Sequence, residues 1–145
     1  MQYSLGVAKA APTTGTGIAM IRPASTLDVP VLEIGVFNET AVATSVGLVR
    51  SATTGTPSTS ALVQAHDPQR PAGQTNIDTA WSAAATVGSN YIRQIILPAT
   101  IGAGIIWTFP PDSLIAKNGA TTQLMLWNFG AGTGAALRLY ITVDE

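Results

Sequence analysis

Apolar and polar residues alternate along most of this chain. Over 137–143, Leu137, Leu139, Ile141 and Val143 point one way and Arg138, Tyr140 and Thr142 the other. A period of two marks a half-buried β-strand, here with β-branched and aromatic members. The run TTQLMLWNF at 121–129 has the same period, with Leu124 and Leu126 on one face and Met125, Trp127 and Phe129 on the other. GAGTG at 130–134 separates the two runs, and its glycines admit the positive φ of tight turns. A C-terminal β-hairpin is expected. A second hairpin is expected from VLEIGVFN (31–38) and AVATSVGLVR (41–50). There Leu32, Ile34 and Val36 share one face, and Glu33, Gly35 and Phe37 the other. Val42, Thr44, Val46 and Leu48 return in phase, with Asn38, Glu39 and Thr40 as the bend.

Weaker runs predict strands at 2–9, 17–22, 61–66, 91–97 and 104–109, with a short one at 113–116. IDTAWSAAA at 77–85 is open between a strand and a helical turn, because its alanines tolerate both. Breaker-rich segments punctuate the chain at 10–17, 51–60, 66–76 and 109–112; those near 51–60 and 67–76 are expected to be long loops. No stretch carries a sustained helical stripe. The pattern predicts one all-β domain over 1–145, a jelly-roll or related antiparallel β-sandwich of about 8–10 short strands with little or no helix.

Composition adds one fact that changes the picture. Only 10% of residues are charged, against roughly 25% in a typical globular domain. Ala, Thr, Gly and Ser fill the gap. Charge normally guards exposed β surface against association, so much of this surface is expected to be buried against other subunits. Net charge is −1 and the seven basic residues are scattered, which is no footprint for nucleic acid. With no cysteine, disulfides and thiolate metal sites are excluded. The apolar stretch Ile95–Trp107 is short and broken by Pro98, Gly102 and Gly104, so no membrane span is expected.

Candidate chemistry is sparse. His66 is the single histidine and precedes Asp67; neighbours on a strand face opposite ways, and no Gly-x-Ser-x-Gly elbow accompanies them. Asp67, Asp78 and Asp112 are the carboxylates open to a calcium site with loop carbonyls, but no calcium-loop motif supports one. Glu33, inside an apolar run, is expected on a solvated or subunit-facing side, paired with Arg50 or Arg138. Asn38-Glu39-Thr40 matches a glycosylation acceptor but reads better as a bend. Trp81, Trp107 and Trp127 are candidates for a sugar platform, against packing in core or interface. Neither an enzyme nor a bound cofactor or metal is expected.

Two segments, PVLEIGVFNETAVATSVGLVR (30–50) and the run from Ala99 to Glu145, with its IGAGIIWTF and LWNFGAGTGA stretches, resemble small virion proteins of tailed bacteriophages. That resemblance implies a jelly-roll or related sandwich that decorates or cements the capsid, often as a trimer. It implies a homo-oligomer bound to the major capsid protein on the virion surface, made in the bacterial host cytoplasm. Glu33, Phe37, Trp107, Trp127 and Phe129 are the interface candidates. The alternative is a carbohydrate-binding β-sandwich module of a phage tail or baseplate.

Overall fold

The structure, a computed structural model, describes residues 1–145 as twelve strands and no helix. They are β1 (Gln2–Lys9), β2 (Gly17–Arg22), β3 (Asp28–Asn38), β4 (Thr44–Thr53), β5 (Thr56–Leu62), β6 (Gln64–Ala65), β7 (Asn76–Ala83), β8 (Thr86–Leu97), β9 (Gly104–Thr108), β10 (Ile115–Lys117), β11 (Leu124–Asn128) and β12 (Leu137–Asp144). Every pairing is antiparallel. The first sheet runs β10-β3-β12-β1-β6, with β9 beside β10 on the same edge of β3. The second runs β5-β7-β2-β11-β4-β8.

The pairing is nested. β1 pairs β12, β2 pairs β11, β3 pairs β9 and β10, and β4 pairs β8. The early strands are thus zipped to the late ones as one ribbon, and successive pairs alternate between sheets. That wrapped ribbon is a jelly roll. The segment between β4 and β8 lies outside it: β5 and β7 extend the second sheet beyond β2, and β6 extends the first beyond β1.

The core lies between the sheets. Leu137, Leu139, Ile141 and Val143 all reach it, as their alternation predicts. Leu124 and Leu126 meet them from the opposite sheet. Each such side chain contributes about 1.5–3 kcal/mol relative to exposure.

Both expected hairpins are absent. β3 and β4 lie in different sheets, and so do β11 and β12. Alternation places an apolar face toward a core but leaves open whether the next strand lies beside it or across from it. Buried amides make the difference. Asn128, fully buried, donates from Nδ2 to the carbonyls of Pro12, Thr13 and Gly132 and accepts from the Gly130 N–H at Oδ1. It ties the exit of β11 to the β1–β2 connection. Ala135 N–H then donates to Thr44 Oγ1 at 2.7 Å. Asn38 does the same after β3, donating to the carbonyls of Val42 and Pro98 at 3.2 and 2.8 Å. The segment Asn38–Thr40 is therefore a corner between sheets.

Other expectations are corrected locally. The register of β3 against β12 slips so that Val31, not Leu32, opposes Val143. This β-bulge puts Val29 and Val31 in the core before the slip and Ile34 and Val36 after it, leaving Leu32 half-buried. Residues 56–60, expected within a loop, form β5 with Ala61 and Leu62 of the expected 61–66 strand, and the ambiguous 77–85 run is mostly strand. Isolated Thr/Ser/Ala segments have weak propensity, and pairing decides them.

Candidate interaction surfaces

Beyond its bulge, β3 turns Glu33, Gly35 and Phe37 to the outer face of the first sheet. The register sets Tyr140 of β12 between Gly35 and Gly6, and Ile106 of β9 across from Gly35. Glycine at 35 and 104 is required by this packing. A Cβ on Gly35 would lie 2.2 Å from Tyr140 Cε1, and one on Gly104 would lie 2.2 Å from Phe37 Cδ1. The two aromatic rings therefore lie down over bare backbone. Their centroids are 6.5 Å apart and their planes differ by 19°. With Ile106 half exposed, they make a flat apolar plate.

Polar groups rim the plate. The Tyr140 hydroxyl donates to Glu33 Oε1 at 2.5 Å. That hydrogen bond, with burial and the Glu33 charge behind it, pushes the phenol up to about 12. Arg138 grips Glu39 through two hydrogen bonds of 3.1 and 2.9 Å. The expected pairing of Glu33 with Arg50 or Arg138 is thus corrected: its partner is Tyr140. Arg50 instead reaches across the end of the sandwich and donates from Nη1 to the carbonyls of Ile115 and Thr122 at 2.7 and 2.6 Å. Burial lowers its pKa, and no carboxylate pairs with it.

The outer face of the second sheet is built differently. Met20, Val49, Ala85, Met125 and Trp127 form a small second core there, with Trp81, Val87 and Phe129 packed over it. Phe129 lies over Gly47 and meets Tyr91 edge to face at 5.8 Å. Trp81 lies over Gly17. Beside it opens a cavity of about 320 Å³, lined by Lys9, Pro12, Thr16, Trp81, Ala85 and Trp127 among others. The Lys9 ammonium sits 5.7 Å from the Trp81 ring centroid and donates to the Thr79 carbonyl. Burial lowers its pKa. The Trp81 Nε1–H is sealed from solvent without an acceptor.

The five interface candidates therefore do not form one site. Glu33 and Phe37 share the plate, while Trp127 and Phe129 share the opposite face of the molecule. Trp107 packs against the main core from β9. The three tryptophans do not make one platform either; only Trp81 and Trp127 come together. Tyr140, Ile106 and Tyr91 complete the two faces and were missed as candidates. The signal available for Tyr140 was its position opposite Gly35, which only the register reveals.

The titratable candidates are separated as well. His66 Nε2 lies 2.9 Å from Ser4 Oγ on the exposed edge of the first sheet. Asp67 accepts from the Gln69 N–H and faces Arg70, so its carboxylate does not orient the imidazole as a triad requires. Asp78 is fully buried against Arg22. No three His, Asp or Glu side chains gather as metal ligands.

No family model, curated protein or solved structure matches the chain.

Proposed function

We propose that this chain is a structural protein of a bacteriophage virion, a capsid decoration protein that binds the assembled major capsid lattice as a homo-oligomer, a trimer favoured. The plate of Phe37, Tyr140 and Ile106 carries the reading. It has the anatomy of a protein contact: an apolar aromatic centre, a polar rim, and rings held in place before binding. The mechanism is mass action. A ligand that binds only the expanded lattice stabilises that lattice by its own binding free energy. The low charge of the chain fits a surface that spends its working life covered. Mass spectrometry of purified heads tests the proposal, and absence of the chain from them refutes it. Phe37→Glu should abolish binding to heads without unfolding the sandwich, since Phe37 is only half-buried.

A second reading rests on the cavity beside Trp81 and Trp127, which is of a size to hold a sugar ring. A carbohydrate-binding module of a tail or baseplate would bind on a glycan array and lose binding on Trp81→Ala. The protein on heads and silent on glycans would leave the first reading alone.

A further inference from the structure

The chain exposes eight large hydrophobic side chains, and five of them lie within residues 91–106: Tyr91, Ile92, Ile96, Ile101 and Ile106. Ile96 and Ile101 are 71% and 69% exposed. The stretch contains β8, the turn after it, and β9. Both strands are edges, β8 of the second sheet and β9 of the first. One lateral side of the sandwich is therefore open in both layers. Val42 joins the patch, because Asn38 holds its carbonyl beside that of Pro98.

The two lateral sides are treated differently. At the opposite end of the second sheet, β5 carries Thr56, Pro57, Ser58, Thr59 and Ser60. Proline and small polar residues blunt an edge against strand addition. β8 is twelve residues long and contains no proline. Between Tyr91 and Ile106 the only charge is Arg93. The bulges of β8 are confined to its first half, and the regular edge from Arg93 to Leu97 associates unless something covers it.

We infer that the β8–β9 side is the seam between one copy of this chain and the next. Two observations select a second copy as the occupant. The first is charge. Arg93 has no carboxylate; it bonds its neighbouring Ile92 carbonyl and lies 6.0 Å from the Phe109 ring. Asp112, three residues beyond Phe109, has no cation and no hydrogen bond to its side chain. Each lacks what the other offers, and both lie on this side. Because one side carries both groups, Arg93 of one copy facing Asp112 of the next, and the reverse, is a self-complementary contact. The second is the edge itself: residues 93–97 of β8 pair with β4 on one side only and offer a free backbone edge to the same strand of a second copy.

The seam rests on the reading of the chain as a subunit of an assembly, and not on the capsid as its target. The test is light scattering of the full chain during size exclusion, over a range of concentrations. The wild type should run as an oligomer. Ile96→Lys combined with Ile101→Lys should run as a monomer with an unchanged β-sheet circular dichroism spectrum, since both side chains stand in solvent. Arg93→Asp and Asp112→Arg should each weaken association about tenfold, and together restore it. A monomeric wild type, or an unaltered mass for the double lysine variant, overturns the seam. Head binding is measured separately. A monomer that binds heads removes the seam and keeps the capsid reading; an oligomer that ignores heads does the reverse.

Discussion

Asp78 is the one carboxylate that the fold buries completely. It sits on β7 between two strands of the second sheet. Arg22 of β2 donates to it twice, from Nε at 2.7 Å and from Nη2 at 2.9 Å, and Ser60 of β5 donates at 2.5 Å. One side chain thus clips three strands. Asp78→Ala removes the anion and leaves a guanidinium and a hydroxyl without their acceptor. Breaking a buried pair costs about 3–5 kcal/mol. The Arg22 side chain is 30% exposed and can regain water, so the lower end applies, about 3 kcal/mol. At about 3 °C per kcal/mol for a chain of this length, the melting temperature falls by roughly 10 °C. Urea unfolding at fixed protein concentration measures it; the concentration must match because association would add to apparent stability. The apolar double variant Arg22→Met/Asp78→Leu should recover most of the loss, since it removes both charges together. A cost below about 1 kcal/mol for Asp78→Ala, or a double variant that costs the sum of the singles, refutes the clip.

Other outcomes follow from the same geometry. Tyr140 should ionise near 12 rather than 10, read by tyrosinate absorbance as the difference from Tyr140→Phe, and Glu33→Gln should lower that midpoint. Because the folded value is the higher one, this group's contribution to stability is complete below pH 10 and is lost as pH rises through 12. Gly35→Val should lift the Tyr140 ring, lower its ionisation midpoint, cost about 1–3 kcal/mol and weaken the proposed binding to heads. Arg50→Met should cost about 2–3 kcal/mol in urea unfolding, because the Ile115 and Thr122 carbonyls lose their charged donor.

Much of the architecture was present in the sequence. The alternation at 137–143 assigned each of those side chains to its face correctly, because in a strand that assignment is local geometry. The absence of any helical stripe and the spacing of breakers gave an all-β sandwich. What alternation cannot encode is the neighbour of each strand. Leu124 and Leu126 face the core whether β12 lies beside them or opposite them. The buried amides of Asn38 and Asn128 settle that, through acceptors up to 116 residues away in sequence. The same limit hid the plate. Phe37, Gly35, Gly104 and Tyr140 are unremarkable singly, and only the register of β3 between β9 and β12 lays the rings over the glycines. Local pattern thus determined which residues are strands and which of their faces are apolar. Tertiary pairing decided which faces meet within the chain and which remain exposed, because that choice depends on contacts between residues that no short window contains.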